Sequence, residues 1–221
     1  DASGNSATCS FTITVADVIN PTITCPADIT QTADSGVCNA LVNVPAPSVT
    51  DNCAVATVVN DYNNTADASD VYPVGSTTVT WTVTDIHGNA TTCSMIILVT
   101  DDEQPVITCP ADINQTADVG VCEAMVNVPA ITNTDNCGVA TIVNDYNNTD
   151  NASDIYPVGT TVVNWTVTDI HGNVSTCAMN ITITDDEQPI ITCPADITVS
   201  NDSLLCNAIV TVPQIDATDN C

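Results

Sequence analysis

Hydrophobic and polar residues alternate along much of this chain. In residues 77–84, Val79, Trp81 and Val83 occupy every second position, and Thr78, Thr80, Thr82 and Thr84 fill the gaps. A period of two sends one set to a core and the other to water, which predicts a β-strand. The same pattern runs through Cys93, Met95, Ile97 and Val99, and through Cys9, Phe11, Ile13 and Val15. Shorter candidates cover residues 22–25, 30–35, 38–44 and 54–59. Between them lie turn residues: Pro26, Gly36, Pro45 and Pro47, the Asp51-Asn52 pair, a polar loop over 60–70, and Pro73-Val-Gly75. No stretch has a helical period. Closely spaced strands divided by turns predict an all-β chain of two-sheet sandwiches.

The pattern recurs every 84 residues. Thr-Asp-Asp-Glu-Gln-Pro at 100–105 returns at 184–189, and a divergent copy begins at Asp17. Two whole repeats are expected, 18–101 and 102–185. Residues 1–17 read as the C-terminal strand of a preceding repeat, and 186–221 as the N-terminal part of a further one. Both ends fall mid-repeat, so the chain reads as a segment of a longer array. Trp81 and Trp165 sit among valines and are expected as core anchors.

All twelve cysteines obey the same period, in four classes: Cys9, Cys93 and Cys177; Cys25, Cys109 and Cys193; Cys38, Cys122 and Cys206; Cys53, Cys137 and Cys221. With no Cys-x-x-Cys pair, this reads as a disulfide framework formed in an oxidising compartment. Two bonds per repeat are expected. Cys25–Cys93 and Cys109–Cys177 would join first and last strands. Cys38–Cys53 and Cys122–Cys137 would close short loops, and Cys206 and Cys221 occupy the same two positions in the last segment. The rival for the first kind is Cys93–Cys109, across the joint. Cys9 and Cys193 are left without partners.

Charge narrows the function. There is no lysine or arginine, and 27 acidic residues give a formal charge of -27. Nothing can displace counterions from a phosphate backbone, which excludes nucleic-acid binding. No apolar run is long enough to insert in a membrane. Only cations from solution can offset the self-repulsion.

The chain resembles tandem hyalin (HYR) repeats. The matching residues are Pro105-x-Ile-x-Cys-Pro110, Asp135-Asn136, Tyr156-Pro-Val-Gly159, and Thr168-Asp-x-x-Gly-Asn173 followed by Cys177, with their counterparts in the first whole repeat. The resemblance implies immunoglobulin-like β-sandwiches in a secreted or cell-surface protein of matrix or adhesion, without catalysis.

The acidic triplets Asp101, Asp102, Glu103 and Asp185, Asp186, Glu187 are candidate ligands for Ca²⁺, a hard cation that prefers oxygen. Asp85 and Asn89, with Asp169 and Asn173, are expected to reach the same joints. The first joint lacks two of the three acids, having Val18 and Ile19 instead, and is expected to bind nothing or to form an apolar contact. Asp61, Asp67 and Asp70, like Asp145, Asp150 and Asp154, fit a solvated loop better than a second cation site. His87 and His171 read as turn residues. Nine Asn-x-Ser/Thr sequons occur, at 63, 89, 114, 147, 151, 164, 173, 180 and 201, and Asn164 and Asn180 fall on the outward phase of their strands. The expected function is a structural segment of an extracellular fibre, stiffened by calcium at its joints and partnered by other copies of the chain. The alternative is a cell-surface adhesion module for a protein or glycan.

Overall fold

The computed structural model describes residues 2–221; Asp1, the first residue of the expected leading strand, lies outside the described residues. The chain forms two compact units, Asp1–Glu103 and Gln104–Cys221.

In the first unit, long alternating segments build the main sheet. β1 is Thr22–Thr24, β2 Ile29–Thr32, β3 Asn39–Val42, β4 Ser48–Thr50, β5 Val55–Asn60, β6 Asp70–Pro73, β7 Gly75–Asp85 and β8 Ala90–Thr100. Four strands pair in the order β2-β8-β7-β5, with β2 parallel to β8 and the rest antiparallel. Two small antiparallel ribbons, β1-β4 and β3-β6, complete the sandwich. Val79, Trp81, Met95, Ile97 and Val99 from β7 and β8 pack with Ala40, Val42 and Tyr72 from the β3-β6 ribbon, all at most 2 % exposed. Removing so large a buried group as Trp81 would cost about 3–5 kcal/mol. Cys25–Cys93 bonds the end of β1 to β8 across a separation of 68 residues. Closing such a loop is worth about 4 kcal/mol by the chain-entropy argument.

The second unit repeats this plan. β9 is Val106–Thr108, β10 Ile113–Thr116, β11 Glu123–Val126, β12 Thr132–Thr134, β13 Val139–Asn144, β14 Asp154–Pro157, β15 Gly159–Asp169 and β16 Val174–Thr184. The main sheet runs β10-β16-β15-β13, faced by the β9-β12 and β11-β14 ribbons. Trp165, Met179, Ile181 and Tyr156 hold the core, and Cys109–Cys177 repeats the closing bond. The last segment adds only β17 (Ile190–Thr192) paired with β18 (Asp216–Thr218).

The structure corrects several expectations. Residues 48–50 and 70–73 form short strands that the hydrophobic pattern does not announce, and each supplies a ribbon partner for β1 or β3. The segment over 9–15 forms no strand, and Phe11, Ile13 and Val15 are 76–91 % exposed. Its pattern is right, but among the described residues no strand pairs with it to satisfy its backbone.

The short-loop disulfides are also corrected. Cys53 and Cys206 are free thiols, so Cys38–Cys53 does not form and no Cys206–Cys221 bond exists. Cys122 bonds Cys221 instead of Cys137, while Cys38 and Cys137 are both oxidised. The reason is topological. Cys38 precedes β3, which pairs with β6, whereas Cys53 follows β4, which pairs with β1. The fifteen residues between them cross from one ribbon to the other. Cys122 and Cys137 are divided in the same way by β11 and β12.

Candidate cation site

Three aspartates from distant parts of the first unit converge. Asp17 follows the unpaired leading segment, Asp51 follows β4, and Asp85 ends β7. One carboxylate oxygen from each lies within 4.8 Å of the other two. That spread is about twice a Ca²⁺–oxygen distance, so a single ion can touch all three.

Local hydrogen bonds fix each carboxylate. Asp85 is 2 % exposed and closes the β7-β8 turn. Its Oδ1 accepts the backbone N–H groups of His87 and Asn89, both at 2.8 Å, and its Oδ2 accepts Asn89 Nδ2 at 2.7 Å. Gly88 takes φ +93°, which the tight turn requires. Burial works to raise the Asp85 pKa, but the donors of Asn89, His87 and Gly88 together outweigh it and hold the group below the usual carboxylate value. Asp51 Oδ2 accepts the N–H groups of Cys53 and Ala54 at 2.8 and 2.9 Å. Asp17 Oδ1 accepts Ile19 N–H at 3.1 Å and Asn52 Nδ2 at 3.3 Å. The Ile19 donor, then the Cys53 thiol, lowers the Asp17 pKa.

Each anchored carboxylate of the pair Asp17 and Asp51 leaves one oxygen over. Asp17 Oδ2 and Asp51 Oδ1 are buried and accept no hydrogen bond. The Asp17 side chain is only 6 % exposed, and the neighbour that can offset its charge is His87 Nδ1 at 3.5 Å, an ion pair only when the imidazole is protonated. A buried, unpaired carboxylate oxygen is costly, and two of them in one cluster of three aspartates favour a cation. An open cleft of about 420 Å³, lined in part by Val15, Asp17, Asn52, Cys53 and His87, leads to this cluster. Cys53 is exposed, and its thiol pKa is raised, first by hydrogen bonding to Asp17, then by burial and by the charges of Asp17, Asp51 and Asp85.

The expected ligands divide between two jobs. Asp85 and Asn89 stand at the cluster; Asn89 acts through its amide, which also donates to the Asp17 carbonyl at 3.2 Å. Asp169 and Asn173 form the same turn in the second unit, at 2.7 Å. Glu103 does not reach the cluster. Its Oε2 accepts the N–H of Gly36 at 2.8 Å, and Glu187 does the same for Gly120 at 3.0 Å. Asp101 and Asp185 accept the N–H of Glu103 and Glu187, and so shape the bends that aim those side chains. Asp102 and Asp186 face solvent. The first joint, expected to bind nothing or to form an apolar contact, supplies Asp17 to the cluster: the loss of two acids there removes neither the one that matters nor its backbone geometry.

Asp51, Asp17 and His87 were missed as site residues. A signal existed: Asp17 recurs at Asp101 and Asp185, and Asp51 at Asp135 and Asp219. Asp135 keeps the same local form, with Oδ2 on the N–H groups of Cys137 and Gly138 and Oδ1 buried without a partner. The long-loop aspartates are structural: Asp61 Oδ1 accepts Thr80 N–H at 2.8 Å, and Asp145 binds Asn164 through both its N–H and its amide.

The second unit shows how one repeat meets the beginning of the next. Glu187 caps Gly120, Asn220 Nδ2 donates to the Val121 carbonyl at 3.1 Å, and Cys122–Cys221 joins the two segments across 99 residues.

The HYR domain family matches residues 16–99 and again 100–183. Hyalin of Lytechinus variegatus is 37% identical over 180 residues, covering 78% of this chain and 33% of that protein. Hyalin of Strongylocentrotus purpuratus is 32% identical over 179 residues, covering 78% of this chain and 14% of its own length. The chain therefore spans a third or less of these relatives. Among solved structures, extracellular cadherin domains 3–6 of protocadherin gamma B2 overlay 90% of this chain and 55% of their own, with a TM-score of 0.38 and 13% identity.

Proposed function

The chain belongs to the HYR family, and from that premise we propose that it is an extracellular adhesion module whose repeats are clamped by calcium. The family gives the coarser part plainly: an extracellular, non-catalytic, immunoglobulin-like repeat of structural or adhesive kind. The clamp rests on one observation, the two buried oxygens of Asp17 and Asp51 left without hydrogen bonds beside Asp85. Calcium suits an all-oxygen carboxylate set, with water completing its shell. It would tie the segment entering the repeat to both the β4 end and the β7-β8 turn.

The adhesive surface is supported by exposed apolar pairs that recur with the repeat. Leu41 and Val71 face each other across the β3-β6 ribbon at 64 and 46 % exposure, and Met125 and Ile155 across the β11-β14 ribbon at 60 and 48 %. These side chains keep about half or more of their surface exposed, and their partner is read as another copy. Two copies, each at -27, repel one another, so contact requires ions that screen or bridge the charge. The second reading, a fibre segment, is favoured by the Cys122–Cys221 bond, which makes the joint between repeats covalent.

Beads coated with the chain test both parts. They should cluster in millimolar calcium and disperse in chelator, and serine at Leu41, Val71, Met125 and Ile155 should abolish clustering while leaving the calcium-dependent rise in melting temperature. No rise in melting temperature rejects the clamp. Clustering that survives the four serines rejects the apolar contact.

A further inference from the structure

The nine sequons are not equivalent in the folded protein. An N-glycan occupies Asn Nδ2, so it needs an amide with space and without a structural task. Seven of the nine amides are engaged. Asn89 and Asn173 hold the turn aspartates at 2.7 Å, and Asn63 and Asn147 donate to loop carbonyls at 3.0 Å. Asn164 donates to Asp145 at 2.7 Å, Asn180 to Asp112 at 3.1 Å, and Asn201 to the Leu205 carbonyl at 2.6 Å. The two outward-phased candidates, Asn164 and Asn180, are thus both committed to carboxylates. At Asn151 the amide is open, but the hydroxyl of Ser153, the third sequon residue, is bound to Asn127 and to the Val128 N–H.

Asn114 differs on each count. It lies on β10, the outer strand of the four-stranded sheet, and is exposed. Neither its side chain nor the Thr116 hydroxyl makes a hydrogen bond within the described residues. The equivalent positions in the other repeats are Thr30 and Thr198, so this acceptor is a departure from the 84-residue pattern.

We propose that Asn114 is an N-glycosylation site and the sequon that the fold reserves for a glycan. The donor is a polyprenyl-diphosphate-linked oligosaccharide of the secretory route. The Asn114 Nδ2 forms a bond to the anomeric carbon while that carbon's bond to the diphosphate oxygen breaks. The diphosphate leaves with the electron pair, and the amide gives one proton to the transferase's base. No oxidant is needed. A glycan here also covers an open sheet edge, where unpaired backbone groups invite edge-to-edge association.

The test is secretion of the whole chain from a eukaryotic cell line, followed by glycosidase treatment in ¹⁸O water and peptide mass spectrometry. Chymotrypsin and Asp-N must replace trypsin, since the chain has no lysine or arginine. Asn114 should be the most heavily occupied sequon. Asn114→Gln and Thr116→Ala should each remove one glycan from the intact mass, Thr116→Ser should keep it, and all three should retain the wild-type circular dichroism. The proposal is overturned by a bare Asn114, whether other sequons are occupied or not, or by equal occupancy across all nine.

Discussion

The Asn89 side chain donates to the Asp17 backbone carbonyl, 72 residues away, while its other amide contact holds Asp85 Oδ2. One amide therefore couples the segment entering the repeat to the turn that closes it. Asn89→Ala removes both contacts and leaves the Asp85 oxygen without a donor, an effect larger than that of an ordinary surface change. A drop of about 5–10 °C in melting temperature is expected for a unit of this size. Hydrogen exchange should localise the change to residues 15–19 and 85–90. A melting temperature within a degree of wild type would remove the coupling from the account.

Asp51→Asn separates ion binding from folding. The asparagine can still accept the Cys53 and Ala54 N–H groups that Asp51 Oδ2 now accepts. One of three negative charges is lost from the cluster, along with one unpaired oxygen. In chelator the variant should melt at or above the wild-type temperature, because like-charge repulsion is relieved. In calcium, its affinity by titration calorimetry should fall at least tenfold. A wild-type affinity in the variant places the ion elsewhere.

The core was legible because strand alternation and burial share one cause. Val79, Trp81, Val83, Met95, Ile97 and Val99 were assigned inward by period alone, and all are at most 2 % exposed. Short ribbon strands such as β4 and β6 carry too few residues to show a period. Cys38 and Cys53 looked like partners because they are near in sequence, yet the chain changes ribbons between them. The three acids of each triplet are not equivalent: the first, Asp101 or Asp185, has Asp17 of the cluster as its counterpart, and the other two do not. Glu103 instead spends its carboxylate on Gly36, and the cluster gathers single aspartates from three remote turns. Their 34-residue spacing at 17, 51 and 85 is visible in the sequence; their meeting point depends on how β4 and β7 end.

Tyr72 and Tyr156 should titrate late. Burial, then the neighbouring tyrosine and acidic charges, pushes Tyr72 and Tyr156 up to about 12 from an ordinary 10. Each hydroxyl is held by a carbonyl, of Ala68 or Ala152, at 2.6 Å. The folded pKa exceeds the unfolded one, so this contribution to stability is complete below pH 10 and is lost as pH rises from 10 to 12. Ultraviolet titration should show a second phenolate step that coincides with unfolding by circular dichroism. Tyr72→Phe and Tyr156→Phe together should remove that step. A single step near 10, with the fold intact, contradicts the argument.

Cys221→Ser isolates the covalent part of the joint. The Cys122–Cys221 loop of 99 residues is worth about 5 kcal/mol by chain entropy. That stabilisation acts on the last segment, where β17 and β18 pair and the other residues form no ladder. Exchange at 190–192 and 216–218 should become fast while β15 and β16 stay protected. If protection of β17 and β18 persists, the Glu187 and Asn220 hydrogen bonds suffice to hold the segment and the bond is not what orders it.

Cys53 provides a reporter for the cation. Alkylation proceeds through the thiolate, so a raised pKa slows it. The charges that raise the Cys53 pKa are those of Asp17, Asp51 and Asp85, the three residues of the proposed site. Without calcium, Cys53 should therefore react slowly for an exposed free thiol when iodoacetamide labelling is followed by mass spectrometry. A divalent ion on the three carboxylates cancels much of that negative potential. The Cys53 rate should then rise severalfold with calcium and saturate with the occupancy seen by calorimetry, while Cys193 and Cys206 keep their rates. In Asp51→Asn the calcium-free rate should already be higher and the calcium response shallower. A Cys53 rate indifferent to calcium would mean that no ion sits within reach of these carboxylates, whatever the melting temperature does.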